Sequence, residues 1–494
     1  MSSAELQAIA IEDLSRQQVA DLSVGHKEFV WSIPFDGNKA LNSPWLMAKA
    51  EDIAREIDST REAKKRTAGE AEKFQACMST LAANLLAAWR IGPALQIGIP
   101  KSAGQYTRSR YNNPKLSYRL VTQAFDGLQR LGYLQLDLKG YYDKEKGTGK
   151  VTKVRGTEKL MNLLEQDGPV RPWEICERPD AEGLRLRDEN KNPIDFAETH
   201  ATRQMRDNLR IINRALLRNW VDLELPDEEF EGLGWLMVAE KDRLPLDLSR
   251  RTLYRVFNNR SFEQGGRFYG GWWQSVPRKY RRLIRINGKP TVELDYKAIH
   301  PRILYALEGI ACPVDPYDIG LDPKHRELVK EVLNKMINAP DRFMKPERFE
   351  SAGPDMTFAE FQARIRAKHE TIAKYFKTGF GLKAQFIDSQ IAERVLLHFA
   401  KHNIPCLPIH DSFIMHHGYG TELWEQMLKA FREVTGQEGA IKAEDREERE
   451  PVIVPDELDE IFDGLNKCRG YNDRLSAWFA SRDNKSPVCK EGAL

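Results

Sequence analysis

Two stretches far apart in the chain limit its possible folds more than anything else. In the first, Thr291–Tyr305, an alternating β-type run (Thr291, Val292, Leu294) carries Asp295 and then gives way to a helical pattern, Ile299, Ile303, Leu304, Leu307. The spacing places Asp295 at a strand end. In the second, Cys406–Met415, an apolar run holds Asp411 at an expected hairpin, with His410 before it and Ser412 after it. A lone aspartate in either place is ordinary turn chemistry. The pair says more, because His410-Asp411-Ser412 lies inside an apolar strand, where an uncompensated charge is costly. Two carboxylates on adjacent strands can hold two divalent ions, an arrangement that clamps the attacking and leaving oxygens of a phosphoryl transfer.

Between these stretches Arg326, Lys330, Asn334 and Asn338 recur every four residues and so share one face of a helix. Upstream stand Gly265-Gly266-Arg267 and Trp273-Gln274-Ser275-Val276-Pro277. Asp295-Tyr296-x-x-Ile299-x-x-Arg302 resembles motif A of the family A DNA polymerases, and Ile409–Phe413 resembles motif C of that superfamily. The Ser412-Phe413 ending is closer to the phage-type single-subunit RNA polymerases. The Arg326–Asn338 stretch is similar to motif B, the fingers helix that grips the incoming triphosphate. The upstream elements resemble those that contact primer and template.

Over roughly residues 250–435 the resemblance implies an α+β right-hand fold with palm, fingers and thumb. It implies two Mg²⁺ ions, replaceable by Mn²⁺, held by Asp295, Asp411 and the backbone carbonyl of Tyr296. Lys330 and Arg326 would hold the triphosphate, with Lys330 as a catalytic proton donor to the leaving pyrophosphate. His300, Asn334, Asn338 and Tyr296 are then expected at the nucleotide, and Arg267, Gln274 and His410 at the primer and template. The expected partners are a DNA template, a primer and nucleoside triphosphates. The chain departs from the family at His300, where a glutamate helps exclude ribonucleotides, and at Asn334 and Asn338-Ala339, where an aromatic and a Tyr-Gly pair are usual. Choice of sugar stays open between a DNA polymerase and a primase or RNA polymerase.

The net charge of the 494 residues is only +2, so contact with nucleic acid must come from local basic patches. The six cysteines form no C-x-x-C pair and read as free thiols. No apolar run is long enough for a membrane span and the first residues lack a signal-peptide form, so the expected setting is the cytoplasm, without a membrane partner.

In chain order, 1–75 is expected to be a helical region, with the pattern Leu6, Ile9, Ile11, Leu14. Residues 76–165 resemble a winged helix-turn-helix: a helix from about Ser117 to Leu131, then strands Tyr133–Leu138 and Lys150–Val154. In that fold the second helix enters the major groove and the wing touches phosphate, which makes Ser117, Tyr118, Arg119, Gln123 and Lys153, with Arg108 and Arg110 just before, candidate DNA contacts. Residues 166–195, rich in proline and charge, read as a linker. Residues 196–250 are expected to be thumb-like, with one helix from Phe196 to Leu223 on which Arg206, Arg210, Arg214 and Arg218 form a row suited to phosphates. Residues 251–440 form the palm and fingers, and 441–494 a tail with an acidic amphipathic segment, Pro455–Leu465. A rival reading is a winged-helix initiator or regulator whose palm-like region is inactive.

Overall fold

Among the described residues, apolar side chains gather into three large hydrophobic cores and two smaller clusters in the computed structural model, a mixed α+β structure. It describes residues 32–60, 65–143, 145, 148–239, 245–339, 345–443 and 467–483. The Leu6–Leu14 pattern and the Pro455–Leu465 segment lie outside the described residues. Among these, no helix is long and apolar enough to cross a membrane.

The N-terminal core is enclosed by strands β1 (Ser32–Pro34) and β2 (Lys39–Leu41), helices Pro44–Ser59 and Ala68–Ile91, β3 (Gln96–Ile99) and helix Tyr118–Arg130. Then follow β4 (Leu134–Leu138), β5 (Tyr141–Asp143), β6 (Thr148–Lys150), β7 (Thr152–Gly156), helix Glu158–Leu164 and β8 (Ile175–Glu177). The sheet runs β1-β3-β7-β4, with β1 parallel to β3 and the other pairs antiparallel. A capping box of Thr67 and Glu70 starts helix Ala68–Ile91, which crosses residue 75 unbroken. The expected boundary at 75/76 is therefore absent, since Leu46 and Ile53 pack in one core with Phe125 and Val154. Helix Tyr118–Arg130 buries Val121, Phe125 and Leu128 as its periodicity requires.

The stretch 166–195 is not a linker. Ile175–Glu177 pairs with β2, and β9 (Leu184–Leu186) lies parallel to β11 (Tyr254–Asn258) in a second unit. Short apolar pairs between the prolines drive this: Leu184 and Leu186 are buried.

The expected helix over Phe196–Leu223 is cut short. Helix His200–Arg218 ends where the Asn219 side chain donates to the Ala215 carbonyl (2.8 Å), and Val221–Leu223 becomes β10, an edge strand paired with β13 (Ile284–Ile286). The helix buries Leu209, Ile212 and Leu216 in the central core. The large sheet has the order β10-β13-β14-β16-β15, where β14 is Lys289–Tyr296, β15 is Leu407–Ile409 and β16 is Ser412–His416; β17 (Ile441–Ala443) also pairs with β14. All of these pairings are antiparallel. Strand Ser261–Tyr269 (β12) and helix Gly381–Ala400 close one face. Helix Ile299–Leu307 joins two cores: Ile299 and Ile303 face the sheet, while Leu304 and Tyr305 pack with helices Arg326–Asn338 and Phe358–Lys368.

The C-terminal helix Arg469–Asp483 returns to this body. Trp478 packs against Trp173 and Trp220, with ring centroids 5.2 and 5.7 Å away. Arg474 forms a two-pronged ion pair (2.9 and 3.0 Å) with Asp222, whose side chain is fully buried. Breaking a buried pair from one side leaves an uncompensated charge. Arg474→Ala is expected to cost about 3–5 kcal/mol in urea unfolding. Adding Asp222→Asn should recover more than half of that loss; a near-neutral Arg474→Ala would show that the pair does not anchor this helix.

Candidate active site

The site begins with strand register. Antiparallel pairing sets Asp295 opposite Ser412 and Leu294 opposite Phe413, and the Tyr296 amide donates to the Asp411 carbonyl (3.2 Å). Asp295 and Asp411 are thereby brought to neighbouring strand ends. The turn between β15 and β16 consists of His410 and Asp411, and His410 has φ +56°, a conformation that Asn or Gly adopts more readily. Strain of this kind persists only where the surroundings enforce it.

Glu293 lies two residues before Asp295 and therefore on the same face of β14. It accepts from Arg281 (3.0 Å) and from the Ser412 hydroxyl (2.6 Å). One oxygen of Asp295 and one of Glu293 are buried with no hydrogen-bond partner. Burial, followed by the charges of Asp411 and Glu293, pushes the Asp295 carboxyl up to about 7, against the opposing pull of Arg278 and Lys330. Glu293 was not among the residues expected from sequence, although its i−2 spacing from Asp295 was there to be read.

A second layer stands behind this pair. Arg267, on β12, donates to the buried carboxylate of Asp388 (2.8 Å), on helix Gly381–Ala400. Burial raises the Asp388 carboxyl to about 6, a shift that Arg267 opposes and Asp411 adds to. The approach needs Gly266, φ +80°: a Cβ there would stand 2.7 Å from Phe257 and 2.8 Å from the Ser389 hydroxyl. The sequence signal for Asp388 was an acid in the apolar row Ala384, Asp388, Ala392.

Several expected contacts are corrected by where the side chains go. His300 is buried, accepts from Arg267 at Nε2 (3.1 Å) and has the Asn338 amide 3.4 Å from Nδ1. Burial, then Arg267, pushes it down to about 3, so the ring is neutral and engaged within the protein. The Tyr296 ring points away from the carboxylates, because alternate residues of a strand face opposite ways; its hydroxyl donates to the Met427 carbonyl (2.6 Å). Only the Tyr296 backbone remains at the site. The Gln274 amide donates to the carbonyls of Phe268 (2.9 Å) and Pro408 (3.1 Å), which ties β12 to β15. His410 is exposed at its turn, with the Tyr269 ring 6.0 Å away.

Helix Arg326–Asn338 has the expected two faces. Val329, Val332, Leu333, Met336 and Ile337 are buried, and Arg326, Lys330, Asn334 and Asn338 occupy the opposite side. Asp315 holds Arg326 (2.8 Å), Lys330 lies 3.7 Å from Glu327, and the Asn338 amide donates to the Asn334 carbonyl (2.8 Å).

The remaining candidates are elsewhere. Arg210 and Arg214 are exposed on helix His200–Arg218, where Arg210 pairs with Asp207 (2.9 Å) and Arg206 with Glu182 and Glu198 (2.9 Å each). In the N-terminal unit the Ser117 hydroxyl caps its helix by accepting from the Leu120 amide. Arg119 pairs with Glu70 (2.9 Å), Gln123 accepts from Arg66 (3.0 Å), and Tyr118 is exposed.

No protein-family model matches this chain, and neither does any curated protein.

The raised Asp295 carboxyl carries a pH signature. Its ordinary value is 3.8, so the folded state holds this proton more tightly than the unfolded state does, and the site penalises folding increasingly as pH climbs from about 4 towards 7. Asp295→Asn removes the penalty. In thermal melts with a chelator, the variant is expected to exceed the unsubstituted protein in Tm at pH 8 and to match it at pH 4. Equal melting at pH 8 would contradict the burial and charge repulsion acting on this carboxyl.

Proposed function

We propose that this chain is a template-directed nucleotidyltransferase, extending a nucleic acid by two-metal phosphoryl transfer in the manner of a family A polymerase. The observation that carries the reading is Asp295 at the end of β14 beside the β15–β16 turn that holds Asp411, where burial and then the Asp411 charge lift the Asp295 carboxyl to about 7. The donors fit a divalent cation. Both are hard oxygens, one Asp295 oxygen is buried without a partner, and the local excess of negative charge is what a cation relieves. Among the described residues no three His, Cys, Asp or Glu side chains converge into a protein-only cage. Mg²⁺ keeps waters and substrate phosphates in its shell. Asp295, Asp411 and the Tyr296 backbone carbonyl would hold it. Bound there, such ions lower the pKa of the attacking 3′-hydroxyl and neutralise the leaving pyrophosphate.

The protein's own groups supply the rest. Lys330 and Arg326, on the open face of their helix, would take the triphosphate, and Lys330 would pass a proton to the pyrophosphate. Arg267, gripped by Asp388 at one nitrogen and bonded to neutral His300 through another, is held beside Asp411 and would meet the primer end. Asp388 thus acts as a positioning residue. The neutral His300 with Asn338, standing where the resemblance implies a carboxylate, supports a second reading in which ribonucleotides are accepted.

Extension of a labelled primer on a DNA template with Mg²⁺, using deoxyribonucleotides, ribonucleotides, and ribonucleotides without primer, separates these readings. Asp295→Ala and Asp411→Ala are each expected to lower extension by about 10³-fold or more while DNA binding persists, since each removes ligands worth several kcal/mol of transition-state stabilisation. Near-normal extension by either variant would end the assignment. Absence of synthesis on every template would favour the initiator or regulator with an inactive palm.

A further inference from the structure

Outside this site, the most distinctive surface is the β5–β6 ribbon of the N-terminal unit. It continues from the β4–β7 pair after a register irregularity between Leu136 and Leu138. Gly140 allows the departure: a Cβ there would lie 2.5 Å from the Thr152 amide and 2.7 Å from the Lys150 carbonyl. Tyr141 pairs with Lys150 and Tyr142 with Gly149. Directly opposed residues share a face and successive residues alternate, so the ribbon shows Tyr141 beside Lys150 on one side and Tyr142 on the other. Neither ring has been drawn into a core: Tyr141 is 59% exposed, Tyr142 69% and the adjoining Val151 50%.

Single exposed apolar residues are ordinary, but here two uncovered rings stand on the two sides of one short ribbon. Charge identifies the partner. Residues 137–155 hold six Lys or Arg against three acids, a net +3 even with Arg155 paired to Asp137 (2.8 Å), within a chain whose total is +2. A second copy would bring the same positive ribbon, and lysine is depleted from the centres of protein interfaces. Exposed rings with flanking cations match a nucleic-acid strand, in which each base offers a π-face and each phosphate a charge. Bases stacked within a blunt duplex are closed to such rings, whereas unpaired bases are open.

We infer that the β5–β6 ribbon binds unpaired nucleic acid, stacking bases on Tyr141 and Tyr142 while Lys139 and Lys150 hold the backbone. This goes beyond the polymerase reading and does not rest on it. It also moves nucleic-acid contact away from Ser117, Arg119 and Gln123, which already have partners within the protein.

The test is fluorescence anisotropy of the full chain with labelled single-stranded DNA, blunt duplex and overhang-bearing primer–template, in chelator so that catalysis plays no part. Tyr141→Ala/Tyr142→Ala is expected to weaken binding to single strands and overhangs about tenfold or more, with little change on blunt duplex. The corresponding Phe pair should bind like the unsubstituted chain. Lys139→Ala/Lys150→Ala should reduce the slope of log affinity against log salt by about 1.4 on single strands. Unchanged melting temperatures would show that the fold is intact, and the chelator keeps this test separate from the catalytic one. Undiminished single-strand binding by the Ala pair would overturn the proposal. So would an equal loss on blunt duplex, no binding of any DNA by the unsubstituted chain, or an effect of the Ala pair confined to self-association in ultracentrifugation.

Discussion

The antiparallel pairing of β14 with β16 creates the constraint that the rest of the structure answers. It brings Asp295 to the turn that carries Asp411, with Glu293 on the same face of β14, in surroundings whose burial and negative charge raise the Asp295 carboxyl to about 7. Charges held this way oppose folding, and the opposing stabilisation is close at hand. On alternate positions of the same strands Leu294, Tyr296, Phe413 and Met415 are buried, each worth about 1.5–3 kcal/mol on removal from water. Arg281 and the Ser412 hydroxyl satisfy one oxygen of Glu293, while the charges of Arg278 and Lys330 act on Asp295 from outside. The strand pair is stable because its apolar face outweighs its acidic one.

Helix Gly381–Ala400 extends this logic to a second layer. Its apolar row seals the sheet, yet one position in that row is Asp388, an expensive choice for a buried residue. The acid is retained beside Arg267, whose other contact reaches His300 and through it Asn338. A continuous chain of polar contacts therefore links helix Gly381–Ala400 and β12 to the helix carrying Lys330 and Arg326. Helix Ile299–Leu307 makes the same link with apolar groups, since it belongs to both cores. Relative displacement of those cores would disturb the spacing between carboxylates and cations.

Buried contacts help attach the N-terminal unit. Lys39 meets Asp247 at 2.5 Å, with both side chains largely covered, and the Trp173, Trp220 and Trp478 rings interlock near the Arg474–Asp222 pair. The C-terminal helix is thereby part of the connection between the two halves. The basic ribbon projects from the N-terminal unit without packing into any of the cores.

Local pattern alone determined much of this architecture. The strand ending in Asp295 and passing into a helix, the apolar hairpin around Asp411, the two-faced Arg326–Asn338 helix and the stripe of Tyr118–Arg130 were all legible, because each depends on a period of two or of 3.6 within one segment. Tertiary structure decided what no segment holds by itself. Strand pairing drew 166–195 into sheets and turned Val221–Leu223 from helix to edge strand. Side-chain direction sent the Tyr296 ring into the core and committed Gln274 to two backbone carbonyls. Long-range burial selected Asp388 and His300 as partners of Arg267. Sequence spacing reports which way a side chain faces along its own element; which charge or carbonyl waits there depends on residues a hundred or more positions away, brought near only when the cores close.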